Sequence, residues 1–270
     1  MSRGRVPGSL DLGSDHVSML RALIVCFAIG LFFSSELLAS SFKVSPLRLH
    51  LEGETKSTSM RVINSSPAEI TVQIDMKRWT QNAGGEDVFE NSDALLFFPR
   101  IVTILANGEG VVRVAWRGGD RGQKEQTFRL FAQEVPDASP AAGALSFALR
   151  LSVPVFVRSA SAAERAVVSS LAVADAEARV IVANAGQRHT VVERIRLQTL
   201  DAAEVQLHEQ EISGWYVLSG AQRLFSARLP QEACARSRLL RVEVTTTAGT
   251  QRRELPLSGC LGRQAYGSLD

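Results

Sequence analysis

From about residue 42 onward apolar side chains recur at every second position and not every third or fourth, which restricts this chain to strands. The longest run, ALSFALRLSVPVFVR at Ala144–Arg158, alternates Leu145, Phe147, Leu149, Leu151, Val153, Val155 and Val157. At roughly 3.3 Å per residue the alternating part, Leu145 to Val157, spans about 43 Å, more than twice an ordinary strand of about 5–6 residues. Pro154 inside it has no N–H to give to a ladder, which predicts a position at a sheet edge. A long apolar edge invites aggregation unless something is meant to pair with it.

Shorter runs precede it. VSPLRLHL sets Leu47, Leu49 and Leu51 on one face and Arg48 and His50 on the other. STSMRVIN leads into the turn signal at Ser65–Pro67, and ITVQIDMKRW alternates Ile70, Val72, Ile74 and Met76. A polar stretch at Gln81–Asp87 precedes LLFFPRIVTIL, the turn ANGEG, VVRVAW and TFRLFAQEVP. About seven strands in about 115 residues, at this turn spacing, predict a β-sandwich over 42–158. SASAAER (159–165) is small and polar, a linker. RVIVAN, TVVERIRLQTL, GWYVL, RLFSARL, LLRVEVTTT and QRRELPLSG then predict a second, smaller sandwich over 166–260, with a tail at 261–270. The fold class expected is all-β, two tandem immunoglobulin-like sandwiches.

The N-terminus reads differently. From Met19, a second start available to the chain, one Arg21 precedes an apolar run from Ala22 to Phe33, followed by small residues at Ala39, Ser40 and Ser41. This is the pattern of a secretory signal over 1–41, too short to favour a spanning helix; a retained membrane anchor is the alternative. Cys26 lies mid-run without small residues before it, which argues against a lipid anchor. Removing the signal leaves Cys234 and Cys260, and an exported chain with one such pair predicts a disulfide. Its loop of about 27 residues would contribute on the order of 3 kcal/mol; two buried free thiols are the alternative.

Chemistry is scarce. With 30 basic and 28 acidic residues the net charge is +2, too balanced to point to nucleic acid. None of His16, His50, His189 and His208 has a second histidine or a cysteine at ligand spacing, so no metal or other cofactor is expected. No G-x-S-x-G, P-loop or H-E-x-x-H motif is present. GGD at Gly118–Asp120 reads as a turn, and the carboxylates of EVPD, Glu134 and Asp137, would need a pocket around them to act as a pair. An enzyme is not expected.

An exported tandem sandwich with FRLFAQEVP, a variable loop and then ALSFALRLSVPVFVR resembles a PapD-like periplasmic pilus-assembly chaperone of the chaperone–usher pathway. Glu134–Pro136 resembles that family's signature at the end of its sixth strand, and the long alternating run its seventh. VSPLRLHLEGE resembles its first strand, and VIVANAGQRHTVV (180–192) its N-x-G segment near the start of the second domain. The short loop between Pro136 and Leu145 is similar to the short-loop class, and Pro154–Phe156 to its archaic or alternative branch.

The resemblance implies an L- or boomerang-shaped pair of domains and a reason for the long strand: it is lent to a pilin whose own sandwich lacks its last strand. Backbone pairing completes the pilin's sheet, and alternate side chains fill its groove. Leu145, Phe147 and Leu149, with Leu151 as a further candidate, would enter the groove, while Val153, Val155 and Val157 stay in the protein's own core. The alternative is one private core for all seven. The family also holds the pilin's C-terminal carboxylate on basic residues between the domains. Arg48 matches its first-strand arginine, and guanidinium suits a carboxylate. The family's last-strand lysine falls at Pro154, and Arg129, opposite in face to Phe128 and Leu130, is the replacement inferred. Glu125 and Arg158 match its interdomain ion pair; the second-domain acid is replaced by threonine near Thr245–Thr247. The implied partners are pilin subunits and an outer-membrane usher in the periplasm, with a self-capping homodimer admitted when unbound. No nucleic acid and no small-molecule substrate are implied. A secreted structural or adhesive Ig-like module is the competing reading.

Overall fold

The computed structural model describes residues 42–136, 148–258 and 267–268 as a pair of β-sandwiches, each around its own apolar core. The proposed signal, Leu145, Phe147, Cys260 and nearly all of the tail lie outside the described residues.

The first sandwich runs β1 (Phe42–Ser45), β2 (Leu49–Glu52), β3 (Ser57–Asn64), β4 (Ile70–Gln81), β5 (Asp87–Asn91), β6 (Leu95–Phe98), β7 (Ile101–Ile104), β8 (Glu109–Trp116), β9 (Gln126–Glu134) and β10 (Arg150–Arg158). One sheet has the order β1-β3-β8-β6, the other β2-β10-β9-β4-β5, with β7 also on β4. Their inner faces meet in a core that includes Leu49, Leu51, Met60, Val62, Val72, Phe128, Leu130, Val153, Val155 and Val157. Burying each such side chain stabilises the fold by roughly 1.5–3 kcal/mol.

The second sandwich runs β11 (Ala166–Ala174), β12 (Glu177–Asn184), β13 (Thr190–Leu200), β14 (Gln206–Ser213), β15 (Tyr216–Val217), β16 (Gln222–Arg228), the helix α1 (Gln231–Arg236), β17 (Leu239–Thr246), β18 (Gly249–Pro256) and β19 (Gly267–Ser268). Its sheets are β16-β12-β11-β19 and β14-β13-β17-β18, with β15 on β13. Cys234 is the buried residue of α1 and belongs to the second core, where its side chain is engaged and not free.

Three expectations need correction. Leu47 is 72% exposed and does not share the core face of Leu49 and Leu51, because the chain leaves β1 at Pro46, crosses to the other sheet and starts β2 only at Leu49. LLFFPRIVTIL is not one strand: Pro99 has no N–H for a ladder, and β6 and β7 on its two sides join opposite sheets. β10 is an edge over only part of its length. It pairs antiparallel with β9 from Arg150 to Val157, while β2 runs parallel along Val155–Arg158 alone. Pro154 lies one residue beyond the last β2 partner, so its missing donor falls where the far side of the strand has no neighbour among the described residues.

Candidate functional site

The register of the β2-β10-β9-β4 sheet decides which side chains turn toward the second sandwich. Phe156 lies beside His50 on β2 and Thr127 on β9; Pro154 lies beside Arg129, which in turn lies beside Lys77 on β4. Trp79, two residues on from Lys77, shares that face. Trp79 and Phe156 are fully buried there, with Leu218 from the second sandwich, and Tyr216 packs against them. Trp79 and Tyr216 meet edge to face at 5.3 Å, and the Phe156 ring stacks on His189 at 3.8 Å. Hydrogen bonds fix the junction. Gln81 Nε2 donates to Tyr216 O at 2.9 Å while its Oε1 accepts from Leu218 N at 2.9 Å. Trp215 Nε1 donates to Asp87 Oδ2 at 2.8 Å.

A polar chain crosses the same junction. Arg158 donates to Glu125 Oε2 at 3.1 Å and to Glu52 Oε2 at 2.9 Å. Glu125 is buried, and its Oε1 accepts from the His189 backbone at 2.9 Å and contacts His189 Nδ1 at 2.6 Å. Burial pushes the Glu125 carboxyl up, but the His189 and Arg158 hydrogen bonds outweigh it and hold the group below the usual carboxylate value. The partner from the second sandwich is thus a histidine. Thr247 instead donates to Glu164 Oε2 at 2.9 Å and neighbours Thr190.

The N-x-G segment is what delivers His189. Asn184 Nδ2 donates to Arg188 O and Val217 O, and its Oδ1 accepts from Gly186 N at 2.9 Å. A Cβ at Gly186 would lie 2.5 Å from Arg165 N and 2.7 Å from Ala163 O, so the loop can press against the linker only as glycine. His189 was missed in the sequence because a lone histidine three residues past Gly186 has no periodic or spacing signal.

Arg48 and Arg129 converge on one ring. Arg48, exposed in the crossing between β1 and β2, lies 5.8 Å from the Tyr216 centroid, and Arg129 lies 5.4 Å from it. Arg129 is only 6% exposed and stacks on Trp79 at 3.8 Å. Its Nε and one terminal nitrogen, Nη2, have no hydrogen-bond partner. Burial lowers its pKa from the ordinary guanidinium value, partly offset by Tyr216 and Asp87, yet arginine stays a cation. A buried cation with unused donors beside a second, solvent-facing cation is chemically suited to one anionic group held by parallel hydrogen bonds. No group of three or more His, Cys, Asp or Glu able to hold a metal occurs among the described residues.

Leu149 and Leu151, the described members of the expected donor set, are half-buried and pack at the margin of the first core. Leu149 O accepts from Glu134 N at 2.9 Å, so pairing with the β9 side continues one residue beyond β10. Val153, Val155 and Val157 are core residues.

Residues 41–162 match the family model described as "Pili and flagellar-assembly chaperone, PapD N-terminal domain". Among solved structures, a chain of the CsuC–CsuE chaperone–tip adhesion subunit pre-assembly complex of Acinetobacter baumannii is similar at a TM-score of 0.56 and 18% identity, covering 84% of this chain and 100% of that one. The YadV chaperone is similar at 0.56 and 13%, covering 81% and 100%. The Pseudomonas aeruginosa CupB2 chaperone is similar at 0.51 and 17%, covering 80% and 100%. At these identities the likeness is one of fold. No curated protein matches the sequence.

Proposed function

We propose that this chain is a PapD-like assembly chaperone that works in the periplasm, holding pilin subunits by lending them β10 and passing them to an outer-membrane usher; the family match of its first sandwich and the fold of both sandwiches support the reading. Family and fold alike are those of non-enzymatic chaperones. One observation carries the finer reading. The unpartnered side of β10, from Arg150 to Pro154, ends beside Arg129, a buried cation with spare donors. An extended segment laid along that edge would bring its terminal carboxylate to Arg129 and Arg48, so strand pairing and charge pairing share one path. Upstream of Pro154, Leu145, Phe147, Leu149 and Leu151 would offer side chains to the pilin's groove. The Glu125–Arg158 pair, joined by His189, holds the two sandwiches so that the cleft keeps its width. An intramolecular Cys234–Cys260 bridge closes the end of the second sandwich, and export through the N-terminal signal supplies the oxidising compartment it needs.

Co-expression with pilins encoded beside it tests the reading. Tagged wild-type protein is expected to retain pilin on purification, and Arg48→Ala and Arg129→Ala proteins to fold but lose it. Normal recovery of pilin by both variants would reject the two arginines as the anchor.

A further inference from the structure

Arg129 presents a cost that the first sandwich offsets only in part. A buried guanidinium without a carboxylate is destabilising unless other groups compensate it. From its own sandwich the cation receives the Trp79 face, at 3.8 Å, and the charge of Asp87, to which it makes no hydrogen bond. The remaining aromatic faces come from the second sandwich: Tyr216 at 5.4 Å and Trp215 at 5.6 Å. Tyr216 also lies 5.8 Å from Arg48, so one ring faces both cations. Such contacts with a cation strengthen as water is excluded.

The ring is itself held in place. Tyr216 meets Trp79 edge to face, its carbonyl accepts from Gln81, and Trp215 packs across it at 5.9 Å and 89° while bonded to Asp87. Gly214 immediately before them approaches the Val192 backbone so closely that a Cβ would collide with Val192 O. The turn that presents the two aromatics is therefore built around a glycine.

We propose that Tyr216, backed by Trp215, is a positioning residue for the anion site. It orients the guanidinium groups of Arg48 and Arg129 toward one carboxylate, so the site is complete only while the second sandwich is docked on the first. This inference rests on the carboxylate-anchor reading above. It goes further in assigning part of the anchor to side chains that do not touch the anion.

Acetate, the simplest carboxylate, serves as the probe on the mature chain, with chloride at matched ionic strength as control and the indole N–H signals of Trp79 and Trp215 as the NMR readout. Wild-type protein is expected to show saturable shifts with acetate and none with chloride. Tyr216→Phe, which keeps the ring, is expected to bind within about twofold of wild type, and Tyr216→Leu, which keeps apolar bulk without a π face, about tenfold more weakly. Wild-type affinity in a folded Tyr216→Leu protein overturns the proposal. If Tyr216→Leu fails to fold, Trp215→Leu, at a 40% exposed position, takes its place with an expected loss of about threefold, and an unchanged affinity there overturns the proposal equally. Arg129→Ala separates the two levels. Unchanged acetate binding in that variant, or no acetate response in wild type, removes the anchor reading and this inference with it. Loss in Arg129→Ala without loss in Tyr216→Leu removes the inference alone.

Discussion

Replacing Glu125 with Gln keeps the shape of the junction but takes away its central charge. Wild-type Glu125 accepts from Arg158 at 3.1 Å, from His189 N at 2.9 Å, and lies 2.6 Å from His189 Nδ1. Gln retains one carbonyl oxygen for the His189 side and turns an NH2 group toward Arg158, where donor meets donor. Hydrogen bonds to charged groups are worth about 1.5–3 kcal/mol each, and Arg158 recovers part of its loss through Glu52, so the net cost should be about 2–4 kcal/mol. For a chain of this size that corresponds to a fall in Tm of roughly 4–16 °C at neutral pH. The pH dependence gives the sharper check. Glu125 in the folded protein titrates below its ordinary 4.5, so its stabilisation is whole above that value and is lost as pH falls through the folded pKa. Thermal melting of both proteins from pH 7 down to about 3 should therefore show a constant gap at the upper end that closes in acid. Equal melting temperatures at pH 7, or a gap that persists undiminished in acid, would refute the reasoning.

The double substitution Phe147→Ser and Leu149→Ser should weaken pilin binding at least about a hundredfold, since filling a groove with such side chains is worth roughly 1.5–3 kcal/mol each. The free protein's Tm should fall far less than in a core variant such as Leu49→Ala, where about 2–5 kcal/mol is lost; a comparable fall would return these positions to a private core. Protein isolated from the periplasm should gain two hydrogens per chain on reduction and show no alkylatable thiol beforehand; two reactive cysteines in the native, unreduced protein would exclude a Cys234–Cys260 bridge.

Strand content was legible because burial on one face of a sheet imposes period-two alternation, and β3, β4, β8, β9, β12, β13 and β17 all carry it. Breaks within a run were less so. Pro46 and Pro99 mark places where the chain changes sheets; the alternation of Leu47 with Leu49 and Leu51 conceals that β2 starts only at Leu49 and leaves Leu47 exposed, and the nearly unbroken apolar run around Pro99 conceals the second switch. β5 (DVFEN) and β14 (QLHEQEIS) went unseen because their side chains are mostly exposed or half-buried, so little apolar pattern marks them. The short helix α1 follows Pro230 and buries only Cys234, too little surface for a helical period to register. Arg48 could be picked out by its match to the family's first-strand arginine, and Arg129 because it faces away from Phe128 and Leu130, both core residues. Their shared aromatic wall could not: Trp79 and Tyr216 are separated by more than half the chain, and only docking of the two sandwiches brings them together.

Hydrogen exchange along β10, measured with and without a co-purified pilin, tests the central claim most directly. If the strand is lent to the pilin, amides from about Leu145 to Val153 that face the unpartnered side should exchange readily in the free protein and become strongly protected in the complex. Those from Val155 to Val157, already flanked by β2 and β9, should change little. Equal exchange of the upstream amides in both states, with protection appearing elsewhere on the surface, would contradict donor-strand pairing.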